Sequence, residues 1–520
     1  MQSAKTGQAN QRISGALLNY VYLAITVVSS LIYVPILLRT IGASQYGLYQ
    51  TIGSIISYLS ILDAGLSTTL TRYYSYALHE NDSDKKKNLI GMSVVMYAVQ
   101  TVLAIAIGIV LLEFLPNIFG ATFSQQELDD ATLMMLVVIA DIAVVLPGNL
   151  FTAIINAEER FNYLQIVNIC KALAQPVFVI FVVCNVYPYA LGVVVVQWLI
   201  NVIVIILNAA YCIKKIGISI SFKKFDHAVV FEMIKFSFAA LLSLIFDQIF
   251  WRTDQLIIAA CSGTADVALY SIASTVVNAY IQFSNGISFV FLPKLTKLVA
   301  AGNNGDINSE TVNREMNSLF IKVGRIQFCI VSFIFSAFVV FGKPFITLWA
   351  GPEYLNAYYV VIIFMIAMFM PLVQNIAVPI LQAKNMQMFK SVVYIIIALI
   401  NLCVSIPATQ AYSYWGASIT SMVCLMIGTI PIINWYYKTK VNLDIGLFFR
   451  RVFKLAIPVC FCALLGVVIV HIVLASLSWG FFILAAMIYT VIYGTIIWVT
   501  GLTGEERGEV LSLIARKGSA

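Results

Sequence analysis

The sequence predicts an all-α polytopic membrane protein of about fourteen transmembrane helices, arranged as two parallel-repeat six-helix lobes followed by two further helices. Three observations predict it. The 520-residue chain is 61% hydrophobic and only 11% charged, with a mean hydropathy of +0.92; soluble domains run near 25% charged. Apolar runs of about 20 residues, the length that crosses hydrocarbon, recur along the chain. The first half also resembles the second at a fixed spacing. Gly (29) and Pro (13) are too few for collagen or a disordered tract. The nine cysteines form no CxxC pair and no cluster with His79, His227 or His471. They read as small buried hydrophobes, and neither a metal nor a cofactor is expected.

The candidate spans lie near 13–38, 46–66, 89–112, 131–154, 164–184 and 189–211, then 233–260, 267–292, 319–341, 358–381, 391–409 and 415–436, with a final pair at 455–474 and 479–500. The first run is too long for the apolar core of a cleavable signal peptide, and no A-x-A site follows it. Lys and Arg gather in alternate connections, from Lys5 and Arg12 through Arg72, Lys85, Lys86 and Lys87 to Lys438, Lys440, Arg450 and Arg451. The opposite side holds only Arg39 and Lys343. The positive-inside rule then puts both termini in the cytoplasm and makes the net charge of +7 a topology signal, not a nucleic-acid footprint. The outer loops are short; the longest, 113–130, has no nucleophile constellation. No P-loop, G-x-S-x-G or H-E-x-x-H occurs, so the chain is not expected to be an enzyme.

Residues 13–67 can be laid on 234–288 without a gap, at a constant offset of 221. Identities include Leu23/Leu244, Gly42/Gly263, Leu48/Leu269, Tyr49/Tyr270, Gly65/Gly286 and Ser67/Ser288. Further on, Pro147 matches Pro371, and Asn156-Ala157 matches Gln382-Ala383. The expected organisation is an N-terminal lobe over 1–215, a second lobe over 216–440, and an appended helix pair and tail over 441–520. An even number of spans separates the copies, so both face the same way, as in transporters that rock one bundle against another.

The stretch Leu38-Arg39-Thr40-Ile41-Gly42-Ala43-Ser44-Gln45-Tyr46-Gly47-Leu48-Tyr49, with Leu62-Asp63-Ala64-Gly65-Leu66-Ser67 and Thr71-Arg72-Tyr73, resembles the N-terminal signature of the polysaccharide-transport (Wzx-type) flippases of the MOP superfamily. Arg252-Thr253-Asp254-Gln255-Leu256 through Gly263 to Ala268-Leu269-Tyr270 is similar to that family's seventh-helix motif. The resemblance implies translocation of a lipid-linked oligosaccharide, on undecaprenyl pyrophosphate, from the inner to the outer leaflet of a bacterial inner membrane. It implies a central cavity lined by helices 1, 2, 7 and 8. It also implies membrane lipids, a coupling H+ or Na+, and the polysaccharide polymerase machinery as partners, with no nucleic acid. Related peptidoglycan-lipid flippases carry several arginines in the first helix; this one has only Arg39, which argues against that substrate.

Moving a sugar headgroup through hydrocarbon costs roughly 1–3 kcal/mol for each unpaired hydroxyl, so polar and cationic groups are expected on inward helix faces. Span seven carries Asp247, Gln248, Arg252, Asp254 and Gln255. At about 100° per residue Asp254 returns to within roughly 20° of Asp247, with Arg252 about 140° away. Intramembrane charge marks either a functional site or an interhelix ion pair. Span two presents Ser60, Asp63, Ser67 and Thr71 as a stripe, and span eight presents Asn278, Gln282, Ser284, Asn285 and Ser288; both stripes suit cavity lining or helix–helix glue. Arg72 stands where a lipid phosphate would first arrive, or snorkels to the interface. Asp141 and Lys171 either pair with each other or leave Lys171 to bind phosphate. The substrate-binding set is therefore Arg252, Lys171, Arg72, Asp63, Ser67, Gln282 and Asn285, and the ion-coupling set is Asp247, Asp254 and Asp141. His471 reads as structural. Pro35, Pro147, Pro176, Pro371, Pro379, Pro407 and Pro431 bend their spans, and the Pro147/Pro371 match implies equivalent kinks. The alternative function is a multidrug or cation antiporter of the same superfamily. A polymerase or ligase is disfavoured by the short outer loops.

Overall fold

The computed structural model describes residues 2–80, 82–222, 226–288, 291–303, 308–473, 478–504 and 507–508, and among them every regular element is helical. The first helix, α1 (Gln2–His79), covers both of the first two expected spans. It is broken at one residue, Gly42, whose φ of 80° and ψ of 171° are non-helical. The offset of 221 carries Gly42 to Gly263, which ends α6 (His227–Ser262) with φ 97° and ψ 179° and hands the chain to α7 (Thr264–Ser288). That corner of conformational space is essentially closed to residues with a Cβ. The repeat read from scattered identities is thus a repeat of backbone geometry at its sharpest bend.

Between these breaks lie α2 (Ser83–Phe119), α3 (Gln125–Ala157), α4 (Phe161–Asn185) and α5 (Ala190–Tyr211). Asp82 caps α2 by accepting from the backbone N–H of Asp84 and Lys85. Ser124 and Glu127 cap α3 reciprocally, which satisfies two of the donors that a helix start leaves orphaned. Because α2 continues to Phe119 and α3 starts at Gln125, the expected outer loop over 113–130 shrinks to a short turn. A single π turn, Cys212–Ile216, then closes α5 at Gly217.

After α7 come α8 (Leu292–Asn303), α9 (Ser309–Trp349), α10 (Asn356–Val373), α11 (Ala377–Ala383), α12 (Met388–Tyr412), α13 (Tyr414–Ile427) and α14 (Asn434–Thr439). The last two are joined through a π segment, Gly428–Ile433, that contains Pro431. α3 runs through Pro147, whereas α10 stops two residues beyond Pro371. The matched prolines therefore do not make matched helices. Among the described residues, eleven helical stretches are long and apolar enough to cross a membrane. The Gly42 break makes the first of them two spans, and α6 and α7 take the seventh and eighth places, an arrangement consistent with fourteen crossings.

The chain divides into two compact units, Met1–Ser271 with Asn401–Ala417, and Ile272–Ile400 with Ser418–Ala520. α6 belongs to the first because it lies along α1. A Cβ on Gly47 would sit 1.7 Å from the carbonyl oxygen of Thr264, and one on Gly65 would sit 2.3 Å from that of Ser237, so α1 touches the start of α7 at one end of the seam and α6 at the other, backbone to backbone. The core of this unit includes Leu70, Tyr74, Ile90, Tyr97, Ile154 and Leu164. Its outward faces carry apolar side chains such as Val102 and Val177, each 65% exposed, as a lipid-facing surface must.

In the second unit, α15 (Ile445–Val452), α16 (Ala456–Val473) and α17 (Trp479–Ile496) complete the chain. Tyr489 Oη donates to Ser336 Oγ at 2.7 Å and Tyr493 Oη donates to the carbonyl of Cys329 at 2.7 Å. Both bonds fasten α17 to α9, and both spare a buried phenol an unpaired hydroxyl. Arg325 of α9 donates to the carbonyls of Arg451 (2.9 Å) and Gly501 (2.8 Å), tying down the cytoplasmic ends expected of the appended pair.

Gly42→Ala and Gly263→Ala should each destabilise by about 1–3 kcal/mol, the strain of holding a Cβ in that conformation. Gly53→Ala, whose added Cβ would meet nothing within 4 Å, should melt like wild type. Thermal unfolding of the purified variants in detergent checks the ranking.

Candidate functional site

The charged side chains of α3 and α4 meet through a third residue on α5. Lys171 Nζ donates to Asn201 Oδ1 at 2.7 Å, and Asn201 Nδ2 donates to Asp141 Oδ1 at 3.0 Å and Oδ2 at 3.2 Å. The amide suits the task because it offers a carbonyl to the ammonium and an NH2 to the carboxylate. This triad borders a cavity of about 190 Å³ lined also by Gln175, Gln197 and Trp198. Lys171 is thus linked to Asp141 and faces a cavity at once.

Gln197 connects that cavity to the α1–α6 seam. Its Nε2 donates to Tyr49 Oη at 2.6 Å, and the Arg252 guanidinium lies within electrostatic reach of the same phenol. Along the seam Ser54 Oγ donates to Gln255 Oε1, Gln255 Nε2 donates to Ser271 Oγ at 3.1 Å, and Tyr58 bonds to Thr253. Asp254 is 1% exposed. Its carboxylate accepts from Tyr270 Oη at 2.8 Å and from Asn401 Nδ2 at 3.4 Å, two neutral donors. Arg252 and Asp254 share a helix without pairing to each other among the described residues. The side chain of Asp247 lies outside the described residues.

The seam is closed at both ends. At the glycine-break end Glu127 Oε1 accepts from Ser44 Oγ at 2.5 Å and from Thr264 Oγ1 at 2.6 Å, so the residue that caps α3 also joins the two glycine breaks. At the other end Thr69 and Ser237 hydroxyls bond at 2.7 Å. There the Arg72 guanidinium lies 4.6 Å from the Phe236 ring centroid and 5.8 Å from that of Tyr76, an aromatic seat that favours a cation. Asp63 Oδ2 accepts from Asn149 Nδ2 at 2.6 Å, and Ser67 and Tyr97 stand beside it. In the second unit, Asn285 Oδ1 accepts from Asn375 Nδ2 at 2.8 Å, Ser284 donates to the carbonyl of Leu372 at 2.9 Å, and Ser288 accepts from Gln327. Those three groups are engaged with neighbouring helices, whereas Gln282 is exposed.

Residues 15–299 match the model of a family described as polysaccharide biosynthesis protein. The chain belongs to that family. This agrees with the resemblance to the Wzx-type members of the MOP superfamily. A Shigella flexneri protein named as an O-antigen transporter is 20% identical over 420 residues, covering 79% of this chain and 94% of its own. Among solved structures, the lipid II flippase MurJ in an inward closed conformation matches with a TM-score of 0.72 at 11% identity, covering 94% of this chain and 98% of its own. An inward-facing multidrug resistance MATE family transporter of the MOP superfamily matches with a TM-score of 0.66 at 13% identity, covering 82% and 98%. At such identities the two structures share the fold with this family member. The protein is a multi-pass membrane protein.

The sequence expectations named charges and the polar stripes of spans two and eight, and passed over the neutral residues of α5 that organise two of the charges. Asn201 and Gln197 are among these. With Asn208 they lie on one face of α5 at positions i, i+4 and i+11, a polar stripe within a strongly apolar helix. If Asn201 carries the coupling between Lys171 and Asp141, then Lys171→Leu and Asp141→Leu should be non-additive in thermal stability by about 0.5–3 kcal/mol. Repeating the cycle in an Asn201→Leu background should reduce that coupling toward zero.

Proposed function

We propose that this family member is a flippase that moves an undecaprenyl-pyrophosphate-linked oligosaccharide from the inner to the outer leaflet of a bacterial inner membrane, by alternating access, with its two repeats as the moving halves and both termini in the cytoplasm. The observation that carries the reading is the polar interior of the first unit. Lys171, Asn201, Gln197, Tyr49 and Arg252 form a nearly continuous run of hydrogen-bonding and cationic groups within apolar helices. A permanently packed protein has little use for such a run in hydrocarbon, where polar side chains are expensive. A passenger rich in hydroxyls and phosphate needs it, because each group it presents replaces a hydrogen bond lost from water. No bond is made or broken in such a step, so no nucleophile or base is required. The prenyl chain stays in lipid throughout.

The Asp254 cluster supports a role in coupling. A carboxylate held by Tyr270 and Asn401 can exchange a proton, or accept a small cation with those same oxygens as ligands, without leaving a lone charge in the bilayer. Either event changes the charge beside the α1–α6 seam. An inside-negative potential assists in addition, since outward movement of an anion gains about 2.3 kcal/mol per charge per 100 mV.

Deletion of the gene should remove surface polysaccharide while lipid-linked repeat units accumulate on the inner leaflet. Unchanged polysaccharide with increased dye sensitivity would favour a drug or cation antiporter instead. Arg252→Ala and Lys171→Ala should lower transport by roughly ten- to hundredfold at normal protein level, since a hydrogen bond to a charged group contributes about 1.5–3 kcal/mol. Full complementation by both variants would remove the cationic site from this account. Asp254→Asn should leave the protein folded and abolish the dependence of transport on a proton or sodium gradient, measured in proteoliposomes.

A further inference from the structure

The first span has a polar face that the run above does not use. Tyr22, Thr26, Ser29 and Tyr33 recur at i, i+4, i+7 and i+11, which places them on one side of the helix. Val21, Val28 and Ile32, exposed by 48%, 56% and 57%, point roughly 90–130° away from the centre of that stripe. α4 is built the same way. Asn168, Lys171 and Gln175 share one face, while Leu173, Val177 and Phe181 expose 50%, 65% and 59% of their surface on the other. The two polar faces enclose a groove of about 270 Å³.

Its chemistry is selective. Thr26 Oγ1 donates to the Tyr22 carbonyl at 2.9 Å, so its proton is committed and its lone pairs remain to accept. Asn168 and Gln175 supply both donors and acceptors. Two phenol rings give flat apolar faces on which C–H groups can lie. Lys171 closes one end and also borders the 190 Å³ cavity, where the buried indole N–H of Trp198 has no hydrogen-bond partner among the described residues. Of the three Lys171 protons, one goes to Asn201. Unused donors therefore collect at one end of a hydroxyl-accepting, ring-faced groove.

We propose that this groove is a carbohydrate subsite for a hydroxylated ring bearing an anionic group, with Tyr22 and Tyr33 against the ring, Thr26, Asn168 and Gln175 on its hydroxyls, and Lys171 with Trp198 on the anion. The anion is a sugar carboxylate or a phosphate next to the first sugar. The assignment rests on the flippase reading for how a sugar comes to lie at this depth, and on the groove alone for which sugar fits.

The full-length protein in nanodiscs, probed by saturation-transfer NMR with D-glucuronate, D-glucose and inorganic pyrophosphate, tests it. Glucuronate should give a signal about tenfold stronger than glucose, the value of one charge-assisted hydrogen bond. Lys171→Gln should reduce glucuronate to the level of glucose, and Ser29→Leu, which fills the groove, should remove both. Thr26→Val, nearly isosteric, should weaken both sugars about equally and serves if the larger change unfolds the protein. Displacement of glucuronate by pyrophosphate assigns the anion to phosphate; failure to displace it assigns the anion to the sugar carboxylate. Equal signals from glucuronate and glucose, or glucuronate binding unchanged in Lys171→Gln and Ser29→Leu, would overturn the proposal. These readouts are independent of transport. A deletion strain with normal surface polysaccharide would count against the flippase reading and leave the binding result standing.

Discussion

A charge in hydrocarbon has no solvent to retreat to, and every helix of this protein is placed under that constraint. The solution adopted repeatedly is a neutral intermediary. Lys171 and Asp141 meet on Asn201, Asp254 rests on Tyr270 and Asn401, and Glu127 is shared by Ser44 and Thr264. Lys85 with Glu80 and Lys87 with Asp84 form exposed ion pairs closer than 4 Å at the start of α2. A direct buried pair is costly to desolvate and costly to break. An amide or hydroxyl between the charges satisfies both while leaving each free to exchange its partner, which suits a path along which ligands must come and go.

The same constraint shapes the contact between α1 and α6. Two helices with no water to expel gain little from apolar area in a bilayer, so their association relies on close packing and hydrogen bonds. Gly65 brings the backbones together, Gly47 does the same against the start of α7, and Ser54, Tyr58 and Thr69 bond across to Gln255, Thr253 and Ser237. The charges proposed to act in transport, Arg252 and Asp254, lie directly beside this seam. Arg252 of α6 lies within electrostatic reach of Tyr49 of α1.

Most of the helical architecture was legible in the sequence because hydrophobic length is a large signal that no tertiary contact can override. The internal repeat was legible too, through Gly42 and Gly263, since glycine there answers to a backbone requirement. The misjudged parts are those decided by side-chain geometry. The Pro147/Pro371 match did not produce equivalent helices, because a proline can be absorbed in a helix or sit at its end depending on what bonds the freed carbonyl. Spacing left Ser284, Asn285 and Ser288 open to cavity lining or helix–helix glue, and Leu372, Asn375 and Gln327 engage them. Residue type and spacing cannot say which neighbour a polar face will find. Asn201 and Gln197 were overlooked for a related reason: a neutral amide gives a weak composition signal even where it governs two charges.

The matched breaks at Gly42 and Gly263 have a consequence for how such a molecule diversifies. What the two copies hold in common is a bend written in φ and ψ, and a bend of that kind makes no demand on the side chains of the helices it joins. Each copy was therefore free to acquire its own cargo of polar groups, tyrosines and an ammonium in one, an arginine and a carboxylate in the other, without disturbing the shared frame. In each half a residue without a Cβ sets the turn of the frame, and the polar chemistry is carried by the helices on either side of it.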